Sequence, residues 1–176
     1  LIIKVDLSVG GINTAVREVE ALSNDIKSKT DIFLKELANI GLQEASFRFT
    51  TALYDGLNDS SCSVVPIKNG YSIEANGQSV AFIEFGTGVV YYKPYPLQKP
   101  AGIVEVGHYG KGNANHGSWV YRGVAGSNGR YLSNIYPNKD SDLVLTKGNP
   151  PNMCMYYTSK EIEKNILEIA REVFTK

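Results

Sequence analysis

Val80-Ala-Phe-Ile-Glu-Phe-Gly-Thr-Gly88 is an apolar run broken by one carboxylate and closed by a Gly-Thr-Gly turn. A carboxylate in such a run has to be paired, because burying it alone is too costly. The glycines that follow leave their backbone N–H groups open to close approach. Glu84 therefore reads as a structural clasp that accepts hydrogen bonds from the backbone after it. Glu84, Phe85, Gly86, Thr87 and Gly88 form a motif around which the neighbouring segments must organise.

Upstream of this motif the pattern is strand-like. Val64, Val65 and Ile67 lead into Asn69-Gly70, a strong hairpin turn signal, and Tyr71, Ile73 and Ala75 alternate with Ser72 and Glu74 on the return. Asn76-Gly77 turns again. Before the hairpin lie two helical patterns. Ile12, Val16, Val19, Leu22 and Ile26 recur at steps of four, three, three and four, one face of a helix over 12–27. Ser28-Lys-Thr-Asp31 resembles a capping box and predicts a second helix from about 30 to 54. Leu34, Leu37, Ala38, Gly41, Ala45, Phe49 and Ala52 trace its stripe. Gly41 costs that helix about 1 kcal/mol relative to Ala, which a close contact justifies; a kink is the competing reading. At the N-terminus, Ile3, Val5, Leu7 and Val9 alternate with polar residues and predict a short strand ended by Gly10-Gly11.

Downstream the character changes. Residues 86–151 hold 11 of the 17 Gly, 6 of the 7 Pro and 7 of the 11 Tyr, so they predict a long loop-rich insertion within a single domain spanning 1–176. Trp119-Val-Tyr121 and Leu143-Val-Leu145 are its clear strand candidates. The Tyr content argues against simple disorder. A final helix follows Asn149-Pro-Pro-Asn152, with Asn152 a candidate N-cap. Ile162, Ile166, Ile169 and Val173 stripe its apolar face. The expected class is α+β: two N-terminal amphipathic helices and a C-terminal helix on a small, mainly antiparallel sheet.

Composition excludes several chemistries. The chain has 176 residues, enough to bury about 70% of its unfolded surface, and 18 Lys+Arg against 18 Asp+Glu. Zero net charge disfavours a whole-surface nucleic-acid or membrane binder, and it leaves little repulsion against self-association. The zero is a cancellation: residues 1–85 carry 7 cations and 11 anions, residues 86–151 carry 7 and 3. No apolar run is long enough to span a membrane. Cys62 and Cys154 are the only cysteines, which predicts two reduced thiols and an intracellular site of synthesis. His108 and His116, with seven residues between them in a Gly-rich loop and no carboxylate there, do not match metal-ligand spacing. Gly107-His-Tyr-Gly110-Lys-Gly112 lacks the P-loop spacing and its Lys-Ser or Lys-Thr. No GxSxG is present, and only proximity in the chain groups Glu74 with Glu84 as an acid–base pair. No catalytic residue, metal or cofactor is expected.

Phe82-Ile-Glu-Phe-Gly-Thr-Gly88 resembles the signature of the tail-component family of long-tailed bacteriophages, the gene-product-ten-like family, with which lambda's tail-completion protein Z is grouped. Tyr54-Asp-Gly56 with Asn58-Asp59, and Thr146-Lys-Gly-Asn-Pro-Pro-Asn-Met153 with Tyr156-Tyr-Thr158, are similar to family segments in matching order. Asp55-Gly-Leu-Asn-Asp-Ser-Ser61 departs from the Pro-x-Asp-Thr-Gly segment of many members, and 89–140 is longer than in compact ones. The resemblance implies a virion structural protein of the head–tail junction or head-proximal tail, without enzyme activity, made in the host cytoplasm. It implies a homo-oligomeric ring, a hexamer favoured, around the DNA channel. Other neck and tail proteins, such as a tail terminator and a head-completion protein, would be its neighbours. Tyr91, Tyr92, Tyr95, Tyr109, Trp119 and Tyr121 are candidate assembly contacts, because aromatic residues are favoured at interfaces. Lys93, Lys99, Lys111, Arg122 and Arg130 are candidate contacts to packaged DNA or an acidic neighbouring subunit. The alternative is a nucleic-acid or small-molecule binding module built from the basic, Tyr-rich segment 86–151.

Overall fold

The computed structural model describes residues 6, 8–88, 90–91, 95–97, 117–126 and 129–175. The expected class holds: helices are segregated from small antiparallel sheets. The two expected N-terminal helices are, however, one. Helix α1 runs Val9–Thr50, 42 residues, about 63 Å at the α-helical rise. Ser8 caps it, its hydroxyl oxygen accepting from the Gly11 N–H at 3.1 Å. Gly10 and Gly11 thus open a helix and do not end a strand; Ile3, Val5 and Leu7 lie outside the described residues. The Ser28–Asp31 box caps nothing. The apolar phase passes through it unbroken, no Gly or Pro interrupts it, and the Lys29–Asp25 ion pair at 3.2 Å straddles the expected break. The Thr30 hydroxyl donates back to the Ile26 carbonyl at 2.8 Å, as threonine inside a helix does.

Strands β1 (Ser61–Ile67) and β2 (Gly70–Asn76) form the expected antiparallel hairpin, paired from Ser61↔Asn76 to Ile67↔Gly70. The turn residues are Lys68-Asn69, one position earlier than expected, because Gly70, at φ +152°, already opens the return strand. The hairpin packs on α1 at Gly41. A Cβ there would lie 2.1 Å from Ile73 Cδ1 and 2.7 Å from Ile162 Cδ1, so the glycine marks a close contact within an uninterrupted α1.

A short helix, α2 (Val80–Phe85), follows. Strands β3 (Trp119–Arg122), β4 (Arg130–Tyr131) and β5 (Leu143–Thr146) make a second sheet in the order β3-β5-β4, all antiparallel. β3 and β5 are the expected strands. β4, two residues with no alternation to read, was not expected, nor was the 3-10 turn Leu132–Asn134 after it. Two separate sheets replace the single one expected.

Helix α3 (Cys154–Phe174) runs back along α1. At its start Cys154 shares the core with Phe49 and Ile83; at its end the Phe174 ring meets Phe33 at 5.9 Å. Of its expected stripe, Ile169 is buried and Ile166 is 38% exposed. The core therefore sits at one end of the long helix, where α1 finishes, α2 turns and α3 begins.

Candidate functional site

Six residues make too short a helix to persist alone, so α2 is held from outside. The Asp59 carboxylate accepts from the Gln78 N–H at 2.9 Å, the Ser79 N–H at 2.8 Å and the Ser79 hydroxyl at 2.6 Å, just ahead of α2. Ser79's hydroxyl and these N–H groups lower the Asp59 carboxyl to about 2. The far end of α2 is held by the loop before α3. The Asn152 N–H donates to the Ile83 carbonyl at 2.9 Å and the Met153 N–H to the Glu84 carbonyl at 3.1 Å.

Glu84 is 3% exposed and is a clasp, but not the one its local sequence suggests. Its carboxylate accepts from the Met155 N–H at 2.9 Å, the Tyr156 N–H at 3.4 Å and the Tyr95 hydroxyl at 2.6 Å. Two donors come from α3, 71 and 72 residues away, and the third from Tyr95, 11 residues on; none comes from the Gly-Thr-Gly backbone. Helix α3 has no side-chain cap of its own: Met153 occupies the N-cap position in the left-handed region, φ 54° and ψ 40°. An acceptor with negative charge suits a helix N-terminus, whose first N–H groups lack intrahelical partners. Asn152, the expected cap, is used elsewhere. Its Oδ1 accepts from the Leu53 N–H at 3.1 Å, and its Nδ2 donates to the Leu53 and Ile83 carbonyls.

The Gly-Thr-Gly turn is a second junction. Gly86 has φ +72°, and a Cβ on it would meet Pro151 N at 2.6 Å and Asn149 O at 2.7 Å. Thr87 and Asn149 pair reciprocally: the Thr87 N–H donates to the Asn149 carbonyl at 2.9 Å, and the Asn149 N–H to the Thr87 hydroxyl at 2.9 Å. Asn149 Nδ2 also donates to Asp55 Oδ1 at 2.9 Å, and its Oδ1 accepts from the Asp55 N–H at 2.7 Å. The Thr146 hydroxyl donates to Asp55 Oδ2. Burial pushes the Asp55 carboxyl up, against the lowering hydrogen bond from Asn149. Every residue from Ile83 to Gly88 is buried. A small cavity of about 240 Å³ beside them is lined by Tyr54, Asp55, Phe82, Trp119, Tyr121 and Asn149, among others.

The candidate assembly aromatics divide. Tyr95 works inside the fold: its ring lies 4.9 Å from Phe85 and 6.4 Å from Tyr156, and burial with the Glu84 hydrogen bond raises its hydroxyl. Tyr121 donates to the Val124 carbonyl at 2.9 Å and to the Asp55 carbonyl, and burial beside Asp55 raises its hydroxyl. Trp119 packs against Gly88, which a Cβ would bring to 3.0 Å of its ring. Tyr91 lines a groove of about 340 Å³ together with Arg130 and Lys147. Of the candidate basic contacts, Arg122 is tied to Asp142 at 2.6 Å and Asp140 at 3.0 Å. Tyr92, Tyr109, Lys93, Lys99, Lys111, His108 and His116 lie outside the described residues.

Asp55 and Asn149 were missed as partners, since their contact joins positions 94 residues apart. The one local signal was each residue's place beside a Gly or Pro break. Glu84 is buried with three donors on its carboxylate, while Glu74 lies exposed on β2, so the structure does not bring the two together as a pair. Both thiols are free, and burial pushes Cys154 up to about 12. Among the described residues no group of three His, Cys, Asp or Glu side chains is placed to hold a metal, and no helix is long and apolar enough to cross a membrane. Comparison with family models, curated proteins and solved structures gives no match.

Proposed function

We propose that this chain is a structural protein of a bacteriophage virion, at the head–tail junction or the head-proximal end of the tail. It acts by assembly into a ring around the DNA channel, a hexamer favoured, between neck and tail partners such as a tail terminator and a head-completion protein. The observation that carries this reading is how the signature is used. Ile83–Gly88 is buried throughout, and its two polar side chains, Glu84 and Thr87, are committed to holding α3 and the loop before it. A motif spent on architecture fits a protein whose work is to present surfaces. Cryo-EM of the parent virion carrying a tagged copy tests it. Tag density at the neck or upper tail is expected, and its absence from both overturns the reading.

A second reading, contact with nucleic acid or a small anion, draws on the groove shared by Tyr91, Arg130 and Lys147. An aromatic beside two cations is what a single-strand site uses. Filter binding at two salt concentrations separates the readings. Binding that weakens steeply with salt and disappears in an Arg130→Glu, Lys147→Glu double variant supports the second; no binding at low salt rejects it.

A further inference from the structure

We propose that the cavity beside the start of β3 is a binding site for a methylated ammonium cation, held between three aromatic rings and the buried carboxylate of Asp55. The cavity, about 240 Å³, takes its walls from the segment after α1, from β3 and from β5, among others. Strand alternation puts Trp119 and Tyr121 on one side of β3, and the register sets Thr146 of β5 directly opposite Trp119. Tyr54 completes the aromatic wall. Each ring rests against a glycine. A Cβ on Gly88 would lie 3.0 Å from the Trp119 indole, and one on Gly148 would lie 3.2 Å from it. A Cβ on Gly56 would lie 2.8 Å from the Tyr54 ring, and one on Gly123 3.3 Å from the Tyr121 ring. Rings seated on backbone in this way are in place before a ligand arrives, which lowers the cost of ordering the site.

The wall selects the sign of the charge. Asp55 is 5% exposed, and the donors to its two carboxylate oxygens, Asn149 and Thr146, line the same cavity. Two hydrogen bonds leave acceptor capacity on a group that takes about four. Among the described residues no Lys or Arg pairs with it. A buried carboxylate without a cation is costly, and burial does push this carboxyl up. A cation in the cavity supplies the missing charge, and the ring faces attract it as well.

The wall also selects the kind of cation. A metal ion asks for several oxygen ligands at short range, and a primary ammonium has three N–H donors to place. The remaining side-chain acceptors near the carboxylate are in use. The Thr146 hydroxyl accepts from the Gly148 N–H at 2.8 Å, the Thr87 hydroxyl from the Asn149 N–H at 2.9 Å, and Asn149 Oδ1 from the Asp55 N–H at 2.7 Å. A methylated ammonium has few donors or none to satisfy and turns its methyl groups to the ring faces, so one carboxylate and three rings suit it. The site does not depend on where the chain works: its failure leaves the virion reading standing, and the virion result does not decide it.

Trp119 is the only tryptophan of the chain, so its emission reports on the cavity directly. Tetramethylammonium chloride is titrated into the purified chain, with potassium chloride at equal ionic strength as the control. A saturable change in emission is expected, with a midpoint on the order of 1 mM for so small a cation, and methylammonium should need roughly tenfold more. Asp55→Asn, with circular dichroism confirming an intact fold, should weaken binding roughly tenfold or more. Because Asp55 also anchors Asn149, a second measurement uses the native chain alone: nuclear Overhauser contacts between the tetramethylammonium methyl protons and the Trp119 indole. A response no larger than that of potassium chloride, the absence of those contacts, undiminished binding in a folded Asp55→Asn, or equal binding of methylammonium overturns the proposal.

Discussion

Glu84 shows how one side chain can replace a local capping motif. Three donors converge on its carboxylate, two of them from the otherwise uncapped start of α3. In Glu84→Gln an amide replaces one acceptor oxygen and sets donor against donor, so a loss of about 1–3 kcal/mol is expected, read as a lower urea midpoint. Asp59 contributes to the acid limb of stability. Its carboxyl is lowered from 3.8 to about 2, so the stability it contributes is fully present above about pH 4 and lost as pH falls toward 2. Asp55 has the opposite sign: burial raises its carboxyl, so its penalty is relieved as pH falls through its folded value. Asp59→Asn should lower stability at neutral pH and flatten the decline between pH 4 and 2, measured by urea titrations across that range. An unchanged acid limb would mean that another carboxylate governs it.

At the scale of elements, α2 and the Gly-Thr-Gly turn are held by the loop 149–153, and Gly86 is where the two backbones touch. Gly86→Ala adds a Cβ at 2.6 Å from backbone and imposes a left-handed φ of 72° on an L side chain. A loss of about 2–3 kcal/mol is expected from strain and overpacking together, seen as a lower thermal midpoint. The hairpin and strands β3 and β5 were legible because alternation and Asn-Gly chemistry act over a few residues. The break expected at Ser28–Asp31 was misread for a physical reason: a capping box is a permissive signal, and an uninterrupted apolar phase with an Asp25–Lys29 pair outweighs it. Asn152 as cap failed for a related reason. Its side chain found better partners in Leu53 and Ile83, positions no local pattern connects to it. That Glu84 is buried and paired was readable from its apolar neighbours; which groups pair with it was not, since two of the three donors sit 71 and 72 residues downstream and no local pattern marks Tyr95 as the third.

Across the whole molecule, stability is concentrated at one end. Residues 37–49 of α1 contribute Leu37, Ala38, Gly41, Ala45 and Phe49 to the buried interior, whereas 16–28 contribute none. A helical stretch this exposed gains little from tertiary packing and is marginal in water. Amide hydrogen exchange at low micromolar concentration should therefore show weak protection over 12–26 and strong protection over 37–49. Equal protection in both halves would contradict this division. The charge segregation of the sequence also contracts in the fold, because Arg122 engages two of the three acidic side chains of residues 86–151. The Glu84 clasp sets an order of events during synthesis. The ribosome adds about 5–20 residues per second, so the Met155 amide follows Glu84 by roughly 4–14 s at that pace. Until then the carboxylate lacks its two α3 donors and the Ile83 and Glu84 carbonyls lack theirs, and the signature stays unfinished. Nascent chains paused between residues 90 and 150 should accordingly be open to protease at 80–88 and close only once the start of α3 has emerged.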